Sequence, residues 1–224
     1  MDADRLIAIL KDEKFQSALA IGADITAIGN PVGAAVVTAF KEVASISDEI
    51  RCQYILRGMA SGLNQEKFTN ELIGYVKGSE DNAAHVSNTI RKAMLSESPI
   101  ACALMGWIMA KHIADKKPFD RDDVIIVHAV GSATDEDLTD FMKMMQTVSD
   151  EGIIAVRNEF EECADWCVSN RMCKEDRVSY QQDTETLEFF SGIIPSSAAK
   201  RLEKYLDDMR VAGILRWNQS REID

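Results

Sequence analysis

The side chains in this chain best suited to chemistry are three cysteines, three histidines and two tight groups of acids. Cys163, Cys167 and Cys173 follow the spacing C-x3-C-x5-C. One helical turn separates the first two, so their thiols fall on one side of a helix. Structural zinc takes four ligands, usually from two paired units, and no second pair accompanies these; Cys52 and Cys102 lie far off in sequence. Beside Trp166, helical cysteines are expected to serve as small buried hydrophobes. The histidines are His85, His112 and His128. No H-E-x-x-H, nucleophile elbow or glycine-rich phosphate loop recruits them, and Gly29-Asn-Pro-Val-Gly33 lacks the lysine and preceding strand of a phosphate cradle. His112 closes an apolar run and suits the negative end of a helix dipole. Asp120, Asp122 and Asp123, like Asp135, Glu136 and Asp137, fit the charge preference of helix N-termini and lack the glycine and distal glutamate of a calcium loop. No catalytic residue, cofactor or metal is therefore assigned, and a binding protein is expected in preference to an enzyme.

The elements that must carry these residues read mostly as helices. The organising stretch is Pro99-Ile-Ala-Cys-Ala-Leu-Met-Gly-Trp-Ile-Met-Ala110, apolar around its whole circumference and opened by Ser98 as a cap with Pro99 in first position. It is too short to span a bilayer, so it is expected to be the central helix (99–113) that others pack against. Amphipathic helices are expected over Met1–Phe15, Ser45–Gly62, Asn64–Lys77 and from Glu80 or Asp81 to Leu95. Ala18–Phe40 reads as a hairpin of two small-residue helices about the Asn30-Pro31 turn. After Lys116-Lys117-Pro118-Phe119, Asp120 caps one helix, Thr134 introduces another, and Glu151–Met172 reads as one long helix. Arg177–Gln181 reads as a short strand and Thr184–Phe190 as a brief helix. A helix opened by Pro195-Ser196-Ser197 runs through Met209 to Ala212-Gly213. Ile214–Trp217 and Arg221–Asp224 read as two strands about a turn.

The expected fold class is thus all-α, mainly helical, with a small C-terminal β-hairpin. Residues 1–117 are expected to form a helical bundle and 118–224 a second helical region. The low content of proline (4) and glycine (12) in 224 residues agrees with long helices, and 46% hydrophobic with 28% charged residues is ordinary for a globular chain. Five scattered cysteines and an acidic N-terminus without a signal-like apolar core point to free thiols in a cytoplasmic protein. The net charge of −12 opposes general nucleic-acid coating, which depends on phosphate contacts. From Lys174 onward, however, eight bases meet ten acids, so most of the excess negative charge lies earlier.

The order of elements from about 151 to 224 resembles a winged helix-turn-helix. Leu202-Glu-Lys-Tyr-Leu-Asp-Asp-Met-Arg-Val-Ala-Gly-Ile-Leu215 is similar to the way such domains leave their recognition helix. The resemblance implies that Ser196, Ser197, Lys200, Arg201 and Lys204 face a groove or partner, with Arg216, Gln219 and Arg221 in the wing. Glu203, Asp207 and Asp208 interrupt that basic face. The expected function is non-catalytic binding or regulation through protein–protein contacts, with another protein or a second copy of the chain. Sequence-specific DNA binding through the winged segment is one alternative. A membrane-acting effector using residues 18–40, with Asp24 as an acid trigger, is the other; arms of about ten residues are too short to span, so a buried hairpin is favoured.

Overall fold

A computed structural model describes residues 51, 53–59, 68–156, 158–182 and 186–215. The expected helix 1–15 and hairpin 18–40 lie outside these residues, as does the C-terminal hairpin beyond Ile214 and Leu215, which are not strand. The fold is mainly helical with a small three-stranded antiparallel sheet. Among the described residues no helix is long and apolar enough to cross a membrane. The contacts divide the chain into two compact units: the residues up to Phe119 together with those from Asp208 onward, and Asp120–Asp207.

In the first unit, residues 53–59 are helical (α1), followed by α2 (Phe68–Gly78), α3 (Glu80–Leu95) and α4 (Pro99–Asp115). The ends are set locally. Ser79 caps α3 by accepting from the Asp81 and Asn82 amides, and Ser98 Oγ accepts from the Ala101 amide at 2.9 Å. Pro99 occupies the first turn of α4, where its missing N–H costs nothing. Every residue from Ala101 to Ala110 is buried, as an apolar circumference requires.

Burying α4 on all sides demands close neighbours, and two glycines supply one of them. A Cβ on Gly58 would lie 1.9 Å from the Ala103 carbonyl oxygen, and one on Gly106 would lie 2.1 Å from that of Ile55. The two helices therefore meet backbone to backbone. The remaining seams close with polar links: Tyr75 donates to the Lys117 carbonyl at 2.7 Å, and Arg51 to that of Ser96 at 2.6 Å. Phe119 is stacked with both His112 (4.3 Å) and His85 (5.3 Å), so two of the histidines serve in packing.

The second unit contains α5 (Arg121–Val130), α6 (Asp135–Met145), β1 (Ile154–Ala155), a short 3₁₀ turn (Asn158–Phe160), α7 (Glu161–Ser169), β2 (Cys173–Gln182) and β3 (Thr186–Pro195). Helix α8 (Ser197–Val211) begins in this unit, and its last turn belongs with the first. Asp120 and Thr134 each form a reciprocal capping box, with Asp123 and Asp137, so both acid groups act at helix N-termini as their positions predict. Helix α8 ends at Gly213, whose φ of +71° suits glycine, and the Ile214 amide donates back to the Met209 carbonyl.

Two expectations fail here. The single helix over 151–172 is broken: Gly152 turns the chain at φ +81°, and Ile154–Ala155 pairs with Ile193 and Gly192 as a strand. Residues 186–190, read as part of a brief helix, belong to β3, which pairs antiparallel with β2 from Cys173↔Pro195 to Gln182↔Thr186. A run as short as Leu187–Phe190 carries no periodicity that separates helix from buried strand, and the cross-strand partner decides. The sheet therefore precedes the last helix, in the order β1-β3-β2.

Candidate functional site

The start of α8 gathers most of the residues of interest. Ser196 caps the helix: its Oγ accepts from the Ala199 amide at 3.3 Å and donates to the Arg171 carbonyl at 3.4 Å. Apolar residues Ala198, Ala199, Leu202, Tyr205, Leu206 and Met209 recur at helical spacing and are buried. The opposite side carries Ser197, Lys200 and Lys204, all exposed. Neither lysine has a carboxylate within ion-pairing distance among the described residues. Burial, and then the nearby Asp207 carboxylate, push the Glu203 carboxyl above its ordinary value.

Arg201 is engaged differently. Its Nη1 lies 2.7 Å from both carboxylate oxygens of Asp120 and 3.1 Å from Asp123 Oδ1, and its Nη2 lies 3.5 Å from Asp122 Oδ2. The Asp123 side chain is only 1% exposed. It also accepts from the Tyr205 hydroxyl at 3.1 Å and, through Oδ2, from the Asp120 amide at 3.0 Å. Hydrogen bonding to Asp120, followed by Asp123, holds Arg201 more firmly protonated than a free guanidinium, against the opposing cost of burial. Burial, with the Asp123 charge second, pushes the Tyr205 phenol above its ordinary value. The arrangement clamps the N-terminus of α5 to α8. The aspartates that sequence assigns to a helix start thus have a second employment.

Beside the clamp lies a cavity of about 520 Å³. Arg121, Arg171 and Lys174 line it together with Ser196 and Ser197. These three cations are exposed, and none meets a carboxylate at ion-pairing distance among the described residues. The acid on the wall, Asp122, is directed to Arg201. Arg171 holds a left-handed backbone conformation, φ +62°. It follows the end of α7 in a Schellman arrangement, with the Met172 amide donating to the Cys167 carbonyl at 2.8 Å and the Arg171 amide to that of Val168 at 3.0 Å. Glycine is the usual occupant of that position. Nothing in the sequence around Arg121 points to Arg171 and Lys174, which lie about 50 residues further along.

Of the residues expected to face a groove or partner, Ser196, Ser197, Lys200, Arg201 and Lys204 thus share the first turns of α8, with Arg201 turned to the aspartates. Arg216 and Arg221 lie outside the described residues, as does Gln219. Cys163, Cys167 and Cys173 are buried. Hydrogen bonding with Cys163, then Cys173, together with burial, holds the Cys167 thiol protonated. Among the described residues no group of three or more His, Cys, Asp or Glu side chains is placed to hold a metal ion. No family model, curated protein or solved structure matches this chain.

Proposed function

We propose that this chain is a non-catalytic binding or regulatory protein that acts through protein–protein contacts, with the outer row of α8 as part of its contact surface. The observation that carries this reading is the row itself. Ser197, Lys200 and Lys204 stand exposed on a helix whose other side is committed to the core, and the two ammonium groups have no ion partner among the described residues. Such a row in a chain of net charge −12 offers a local complement to an acidic protein surface, on a partner or on a second copy. The whole-chain charge repels DNA at long range, which favours a protein partner over a duplex.

The finer part of the reading is that the C-terminal portion works as a winged-helix-like module. In it α8 takes the recognition position, preceded by strand β3 where a short helix was expected, and Arg216 and Arg221 are the expected wing contacts. The test is sizing of the full chain across concentration, alone and with captured partners, for wild type and Lys200→Glu/Lys204→Glu. A specific complex or dimer that the double variant loses supports the proposal. A strict monomer whose interactions the double variant leaves unchanged overturns it, and steeply salt-dependent binding to a short duplex replaces it with the DNA alternative.

A further inference from the structure

We infer that the cavity at the start of α8 is a binding site for a small phosphomonoester, a dianionic phosphate carried on an apolar body. The inference does not depend on α8 contacting a protein, since the cavity wall and the outer row share only Ser197.

Two features converge on an anion, and a third concerns the backbone that carries one of the cations. Arg121, Arg171 and Lys174 come from the start of α5, the turn after α7 and the start of β2, and all three meet at one cavity without a carboxylate partner among the described residues. The α8 N-terminus forms part of the same wall. The Ser196 cap takes the Ala199 amide, which leaves the Ser197 and Ala198 amides without a protein acceptor among the described residues. Free first-turn amides and the positive end of the helix dipole favour a negatively charged oxygen. Finally, Arg171 occupies a left-handed site that glycine fills without strain, so the chain tolerates a backbone cost where it places this guanidinium.

The remaining lining sets the size and character of the ligand. Ile125, Val168, Ile194 and Pro195 contribute apolar surface, and Ile194 is left 40% exposed. The volume falls within the range of small-molecule sites. A dianion matches three cations and two amides better than a monovalent carboxylate does, and guanidinium groups suit phosphate oxygens in particular.

The experiment is isothermal titration of the full chain with phenyl phosphate, inorganic phosphate and phenol, followed by amide chemical shifts. Phenyl phosphate should bind saturably at one site, more tightly than inorganic phosphate, with phenol silent. The Ser197 and Ala198 amide signals should move. Binding should weaken as pH falls through the second phosphate pKa near 6, where the ligand loses a charge. Arg121→Gln and Lys174→Gln should each weaken binding by about fivefold or more, and Lys174→Arg should retain it. Arg171→Gly should weaken binding while remaining fully folded, since glycine suits the φ at this position. Lys77→Gln, an exposed charge change in the first unit, should leave binding unaltered. No saturable binding of phenyl phosphate at millimolar concentration overturns the assignment. So does equal weakening by Lys77→Gln, or binding confined to a phosphoserine peptide. Loss of partner binding in Lys204→Glu with phenyl phosphate affinity intact, or the reverse, separates this inference from the protein-contact proposal.

Discussion

Replacing Arg201 with methionine removes the positive centre of the clamp and retains much of its aliphatic bulk. Asp123 is then left with a side chain 1% exposed and without its guanidinium, its other donors including the Tyr205 hydroxyl and the Asp120 amide. Removing one partner of a fully buried ion pair costs about 3–5 kcal/mol. Arg201 itself is 32% exposed and Asp120 55%, so water can compensate part of the loss. The expected destabilisation at pH 7 therefore falls at or below the bottom of that range, about 2–3 kcal/mol. Equilibrium urea unfolding followed by circular dichroism measures it. The mechanism predicts more than a magnitude: once the guanidinium is gone, the buried charge on Asp123 becomes the liability. Asp123→Asn should cost less in the Arg201→Met background than in wild type, giving a coupling of at least about 1 kcal/mol in a double-mutant cycle. Arg201→Lys, which keeps charge but loses the fork, should fall between wild type and Arg201→Met. Strict additivity, or an Arg201→Met variant within about 0.5 kcal/mol of wild type, would refute the account of a structural clamp.

Four further outcomes follow from the geometry. Gly58→Ala and Gly106→Ala force a methyl into a facing carbonyl, and each should cost about 3 kcal/mol or more despite alanine's better helix propensity. Gly74→Ala, with open space around it, should raise the urea midpoint by about 0.5–1 kcal/mol of stability. The Tyr205 phenol is held protonated in the fold, so stability from this group is full below its ordinary pKa of 10.0 and falls as pH rises beyond it, where only the unfolded chain ionises. Wild type should lose up to about 1.4 kcal/mol per pH unit above that point through this group, and unfolding of Tyr205→Phe in the same alkaline series should show a shallower slope. Arg171→Gly should raise the melting temperature, by about 1 kcal/mol of relieved strain, as read by calorimetry.

Helix starts were legible because capping is settled within three residues. Ser98 and Pro99, the Asp120–Asp123 box and the Thr134–Asp137 box each satisfy their own amides whatever the rest of the chain does. Burial of α4 was legible too, since an all-round apolar run has no face to offer water. The glycines that let α1 approach it were not, because a small residue states that a backbone can come near but not which one does. Strand β3 escaped for a related reason: its conformation is stabilised by β2 and β1, not by its own sequence period.

The candidate site divides along the same line. Residues 196–204 stood out because the segment resembles the recognition helix of a winged helix-turn-helix and has a recognisable helix start. That Arg201 turns to Asp120, 81 residues away, and that Arg121, Arg171 and Lys174 meet at one cavity, only the tertiary structure decides. Local signals fix where a helix begins and which side it buries. Ion pairing and cavity formation depend on distances in space, and those are set by how the elements dock.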